Sequence, residues 1–183
     1  MRKSLDWLYK CSGAVAALSL LMIMVVVFGQ VMLNTIDFVA LSLFGKSYGF
    51  LIPSYALFSG YALGFATFLS LGLGLRRAVH IRVTLVENTF SLRGRRYSLT
   101  LVALIGVLMG ALFTYSLAEL TYQSWDWGDT ASGLVRVPLW IPQLVLTIGA
   151  GIFTIAAVDT LIEMVRDKQS PALRATDPTE EGM

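Results

Sequence analysis

The sequence predicts an all-α integral membrane fold with four transmembrane helices. Three observations carry this: four long uncharged apolar runs, a scarcity of charge, and basic residues gathered in alternate connections. Of 183 residues, 56% are hydrophobic and 14% charged, against about 25% charged in an average soluble domain. A mean hydropathy of +0.69 says the same, so lipid has to be considered as the solvent. The chain is read as one four-helix membrane domain over residues 1–166, followed by a tail over 167–183.

The runs are Ser12 to Leu33, Tyr55 to Leu75, Tyr97 to Ala118 and Pro138 to Val158, and none contains Asp, Glu, Lys, Arg or His. Each has about the 20 residues that a helix needs to cross roughly 30 Å of hydrocarbon. A charged residue at a helix centre costs about 2.5–3.5 kcal/mol, whereas each Leu, Ile, Phe or Val returns only about 0.3–0.6 kcal/mol. Uncharged runs of this length therefore favour insertion. They lack the two-residue alternation of barrel strands, and in lipid a helix satisfies its own backbone hydrogen bonds. Met1 to Lys10 is basic and precedes the first run. That run is too long for a signal-peptide core and has no small-x-small cleavage site at its end, so a retained helix is expected.

Lysine and arginine set the orientation. The N-terminus holds Arg2, Lys3 and Lys10, the middle connection Arg76, Arg77, Arg82, Arg93, Arg95 and Arg96, and the C-terminus Arg166, Lys168 and Arg174. Only Lys46 and Arg136 fall in the other two connections. Because positive loops stay in the cytoplasm, both termini and the middle loop are expected inside. The same topology accounts for the net charge of +2 and pI near 8.8 without a nucleic-acid partner.

The connections carry further expectations. Ile36 to Ile52 is apolar but cut by Asp37 and by Gly45-Lys46-Ser47, so an interfacial or re-entrant segment is expected on the outer face. His80 to Tyr97 places Val83, Val86 and Phe90 at helical spacing beside Arg82 and Glu87, which fits a short amphipathic helix on the inner membrane surface. The outer loop from Glu119 to Val137 is acidic and aromatic, with Tyr122, Trp125, Asp126, Trp127 and Asp129. Tryptophan and tyrosine at such a boundary form interfacial belts. After Arg166, Ser170-Pro171 opens a polar tail that has no packable core and is expected to be disordered.

Little in the chain points to catalysis. Cys11 is the sole cysteine and His80 the sole histidine, which excludes intrachain disulfides, bis-histidine haem ligation and histidine-rich metal sites within one chain. Asp37, Glu119, Asp159 and Glu163 lie near predicted helix ends, where solvated or structural roles are expected. Gln30 and Asn34, four apart on the first helix, are candidates for hydrogen bonds to a neighbouring helix. Gly60-Tyr-Ala-Leu-Gly64 and Gly106-Val-Leu-Met-Gly110 are G-x-x-x-G motifs that let backbones approach closely, within this chain or against another.

Three motifs together carry a family resemblance. Gly72-Leu-Gly-Leu-Arg-Arg-Ala-Val-His80-Ile-Arg82-Val-Thr-Leu resembles the G…H-I-R-V-D-L signature of the small membrane subunit of tripartite ATP-independent periplasmic (TRAP) transporters. Pro138-Leu-Trp140-Ile-Pro142-Gln143 is similar to that family's P-L-W-I-P-Q, and Gln30-Val-Met-Leu-Asn34 to its Q-V-L-L-R. The likeness covers nearly the whole chain. Thr84 stands where the family commonly has Asp, Asn34 where it has Arg, and Ile52-Pro53-Ser54-Tyr55 where it often has W-x-E-E.

The resemblance implies a non-enzymatic subunit in a bacterial inner membrane. Its implied partners are a large multi-span transport subunit that binds sodium ions and carries the substrate, and a periplasmic binding protein that delivers an organic anion, usually a carboxylate. No cofactor is expected in this chain. Two prolines with Trp140 between them suit a helix start anchored at the interface. His80 and Arg82 are candidates for lipid or partner contact. So are Gln30, Asn34, Gly106, Gly110, Trp125, Asp126, Trp127, Asp129, Pro138, Trp140, Pro142 and Gln143. Two rival readings stay open: a free-standing four-helix membrane enzyme or carrier using Asp159, Glu163 or Glu119, and a homo-oligomeric scaffold held by its glycine faces.

Overall fold

A computed structural model describes residues 2–46, 48–77 and 92–166. It contains four helices: α1 (Arg2–Phe44), α2 (Tyr55–Arg76), α3 (Leu92–Trp127) and α4 (Trp140–Arg166). All four are long and apolar enough to cross a membrane, and no strand occurs among the described residues. The helices are longer than the uncharged runs in the sequence. α1 continues past Leu33 through Asp37 to Phe44, so the apolar stretch from Ile36 is the last part of the first helix, with a connection only from Gly45 onward. Nothing in that stretch breaks a helix before Gly45, whose positive φ of 63° ends it. The expected amphipathic helix around Val83, Val86 and Phe90, together with His80 and Arg82, lies outside the described residues, as does the tail from Asp167.

The helices form a row in the order α1, α2, α4, α3, and α1 touches α4 only slightly. The α2–α4 pair is the spine. A Cβ on Gly149 would stand 2.8 Å from the backbone carbon and Cβ of Phe68, and one on Gly72 would meet Ile152 Cγ2 at 2.8 Å. Such distances leave room for hydrogen alone. Ala62, Ala66 and Leu69 of α2 and Ala150, Ile152, Ala156 and Ala157 of α4 are buried around this crossing.

Each outer helix docks on the spine with a stripe in which small and polar residues alternate with aliphatic ones. On α1 a regular line of covered positions runs Leu5, Tyr9, Ser12, Ala16, Ser19, Ile23, Val26, Gln30, Leu33, Asp37 and Ala40, spaced alternately four and three apart. That 3.5-residue period is the seam of left-handed helix packing. Most of the large apolar residues of α1, among them Leu18, Leu21, Phe28 and Phe38, are exposed instead. Polarity is thus reversed relative to a soluble helix, because bulky aliphatic groups gain nothing by leaving lipid. The Ser12 hydroxyl donates to the Leu69 carbonyl of α2. On the other flank, Thr114 pairs with Thr154 at 3.0 Å and Thr121 with Thr147 at 3.1 Å across α3 and α4.

The two G-x-x-x-G motifs are each used by one glycine. A Cβ on Gly110 would lie 2.8 Å from Thr154 Oγ1, and one on Gly64 would lie 3.2 Å from Leu146, while Gly60 and Gly106 have open space around theirs. Gly149→Ala is therefore expected to cost roughly 1–3 kcal/mol, the range for overpacking a well-filled core. Gly106→Ala is expected to stay within about 0.5 kcal/mol. Thermal unfolding in detergent measures both, and equal midpoints would refute the tight α2–α4 crossing.

Candidate functional site

Polar groups concentrate at the two ends of the row. The distal end, where α1 and α3 finish and α2 and α4 start, is built from two loops and four helix termini. Gly128, at φ 67°, ends α3, and the Asp129 N–H bonds back to the Ser124 carbonyl at 3.1 Å, a wrap that satisfies a last-turn acceptor. The chain then folds on itself. Ala131 N–H donates to the Val137 carbonyl at 2.8 Å, and Leu139 N–H to that of Asp129 at 2.9 Å, which holds Thr130 and Pro138 as a bridged pair. Pro138 therefore precedes α4, while Pro142 sits buried in its first turn, where no N–H is required.

Trp140 packs against Trp125 edge to face, with ring centroids 4.8 Å apart and planes at 73°. Trp125 and Trp127 remain largely exposed, as do Asp126 and Leu134, whereas Asp129 is half-buried by its own turn. The other loop joins at Ser54, a non-glycine residue at φ 56°, whose Oγ accepts from the Val135 N–H at 3.3 Å. Gln143 is half-buried near this end, and its Oε1 lacks a hydrogen-bond partner.

The expected link from Gln30 and Asn34 to a neighbouring helix takes a different form. Buried Gln30 donates through Nε2 to Asn34 Oδ1 at 2.9 Å, and its Oε1 accepts from the Ile52 N–H at 2.8 Å. The pair thus fixes the connection before α2, because that loop presents an N–H without a helical acceptor. Asp37 acts similarly by accepting from the N–H groups of Tyr48 and Gly49. Gly45-Lys46-Ser47-Tyr48-Gly49 matches the spelling G-x-S-x-G. It follows a helix, whereas a nucleophile elbow needs a strand leading into a helix.

At the proximal end, where α1 begins, the structure brings together residues that the sequence reading left apart. Arg76, the last residue of α2, forks onto Glu163 of α4, with Nη1 to Oε2 at 2.9 Å and Nη2 to Oε1 at 3.0 Å. Its Nη1 also stands 3.3 Å from Asp159 Oδ2. Side-chain exposure is 13% for Arg76 and 5% for Glu163, so of the solvated and structural roles expected near a helix end Glu163 takes the structural one, enclosed in protein. Tyr9 of α1, 1% exposed, lies with its ring 6.0 Å from the guanidinium carbon. Asp159 and Glu163 are one turn apart on the face that meets α2, a spacing that could have flagged a shared cation.

Removing one partner of a buried bidentate pair leaves the other uncompensated, at about 3–5 kcal/mol. Arg76→Leu strands two carboxylates and is expected to lower the unfolding midpoint most. Glu163→Gln should cost less and Asp159→Asn least. Unfolding curves in detergent give the order, and an Arg76 variant as stable as the parent would contradict this account.

No metal-binding group of three or more His, Cys, Asp or Glu side chains occurs among the described residues. No curated protein matches the chain. The family of the DctQ component of tripartite ATP-independent periplasmic transporters matches residues 23–167. That span takes in the Gln30–Asn34 pair, the α2–α4 spine, the Trp125–Trp140 contact and the Arg76 clamp, leaving out only the first part of α1 and the tail. The four membrane-spanning helices and this match over most of the sequence show that the chain belongs to the family of small membrane components of TRAP transporters.

Proposed function

We propose that this subunit braces the stationary scaffold of a large, sodium-coupled transport subunit, widening its footprint in the bilayer during uptake of an organic anion, a carboxylate, delivered by a periplasmic binding protein. The single observation behind the bracing role is the open row of helices. Several of its interhelical polar groups are paired within the row, Ser12 with Leu69, Thr114 with Thr154 and Thr121 with Thr147. Its two broad faces are apolar, with Leu18, Phe28, Leu108 and Phe113 among the exposed residues. A slab that uses its polar groups for its own rigidity and offers lipid-like faces suits a brace. Sodium and substrate belong, in this reading, to the large subunit.

The distal end is assigned to the periplasm, where exposed Trp125, Asp126 and Trp127 offer an acidic aromatic surface to the binding protein. The proximal end is assigned to the cytoplasm, in a bacterial inner membrane. Of the three carboxylates on which the rival enzyme or carrier reading rests, Arg76 engages Asp159 and Glu163, and exposed Glu119 accepts from Gln123 Nε2 at 3.3 Å.

Mild detergent extraction is expected to recover this chain together with a larger polytopic protein. Purification as a stable homo-oligomer would favour the scaffold rival. Orientation has its own test. In a Cys11→Ala background, a membrane-impermeant thiol reagent applied to spheroplasts should label Leu134→Cys and spare Trp7→Cys until the membrane is opened. The reverse pattern would overturn the assignment of both ends.

A further inference from the structure

One broad face of α4 carries a regular pattern that exposure to lipid does not require. Ile141, Ile148, Ile155 and Ile162 stand seven residues apart, and three further on in successive repeats come a leucine, Gly151 and two valines. All four isoleucines are exposed. Lipid asks only that a surface be apolar, since its chains are as apolar as leucine. A seven-residue repeat does more, because at 3.5 residues per turn it keeps one seam against a helix crossing it in a left-handed sense. α1 has the same period along the line where it meets the other helices. On α4 the seam faces outward.

Two details prepare it for a helix. Isoleucine, branched at Cβ, holds essentially one χ1 rotamer in a helix, so the ridge loses little freedom when it is covered. Gly151 stands about 17 Å from Trp140 along the helix, close to the middle of roughly 30 Å of hydrocarbon. A Cβ there would meet nothing nearer than Thr114 Cγ2 at 3.9 Å, so the packing within this chain does not require a glycine. Its presence gives up helix propensity and opens the seam to close backbone approach.

Charge identifies the kind of helix. Asp159, four residues after Ile155 and three before Ile162, borders the seam and keeps a side-chain exposure of 18%. Arg76 Nη1 approaches it at 3.3 Å while both terminal nitrogens of that arginine engage Glu163, so one guanidinium serves two carboxylates. An occupant with a cation at this level complements the excess negative charge. A second copy of this chain does not. Two copies in one membrane share an orientation, so a two-fold seam is parallel and sets Asp159 against Asp159.

We propose that this face of α4 docks one transmembrane helix of the large transport subunit, apolar along its length and bearing a lysine or arginine at the level of Asp159. The inference rests on the bracing role proposed above and adds to it the face that is used and the charge that sets the register.

Photo-crosslinking in the assembled complex tests this, with a benzophenone amino acid in place of Ile148 or Ile155. Both positions are expected to join the larger polytopic protein. The sequenced adduct from Ile155 is expected to lie in a transmembrane segment with a lysine or arginine about one turn toward the proximal end. The same group at Met109, which lines an apolar cavity on the opposite face with Ala150 and Phe153, is expected to give no such adduct. Gly151→Leu should lower co-purification of the larger protein several-fold. Asp159→Asn should do the same and Asp159→Glu restore it, and the Gly151 variant reads out the seam even if Asp159→Asn unfolds. If the larger protein co-purifies but Ile148 and Ile155 capture only lipid or a second copy of this chain, the seam is refuted and the bracing role stands. An adduct segment without a basic residue at that level refutes the charge match. A wild-type chain that purifies without any larger protein removes the bracing role, and the seam with it.

Discussion

The close approach of α2 and α4 governs the remaining geometry. Gly149 against the Phe68 backbone and Gly72 against Ile152 bring the two helices to a separation at which only hydrogen fits between them. In lipid this contact cannot draw on burial of bulky aliphatic groups, since the surrounding chains are as apolar as leucine. Dispersion between closely fitted surfaces and a few hydrogen bonds have to suffice. Once α2 and α4 are fixed, Arg76 is placed to fork onto Glu163, and α4 offers its other side to the threonines of α3. α1 then settles on α2 through Ser12 and Ala16.

The same physics explains what could be read from the sequence. The four spans were legible because inserting a charge into hydrocarbon costs several times what a leucine returns. Their order in space was not. Helices apolar all round carry no outward mark of which face is covered, and the mark that exists is inverted. On α1 the line that meets the neighbouring helix, at a period of 3.5, sets Tyr9, Ser12, Ala16, Ser19 and Gln30 among the aliphatic Ile23, Val26 and Leu33. A reading for hydrophobic stripes passes over it. Helix ends were also underestimated, because the charge that halts membrane insertion does not halt a helix. Asp37 sits inside α1 and turns its carboxylate to the following loop.

Among the candidate residues, the sequence motifs gave the start of α4, whereas the pairing at the proximal end went unread. Pro138, Trp140 and Pro142 are near one another in sequence, and their part in starting α4 follows from local stereochemistry. Arg76 and Glu163 are 87 positions apart, and nothing local announces their pairing. Gly106 and Gly110 show the limit of a motif, since the two share one helix face yet only a Cβ on Gly110 would meet the neighbouring helix.

The length of α1 has a consequence at the edge of the bilayer. From Gly13 to Ile36 the helix carries no charge and spans about 36 Å, a length that an ordinary tilt fits into roughly 30 Å of hydrocarbon. Asp37 then marks the edge of the apolar layer, and the helix runs on past it for two further turns. Those turns expose Phe38, Leu41, Leu43 and Phe44. A taller partner beside α1 would cover this apolar overhang without any specific polar contact.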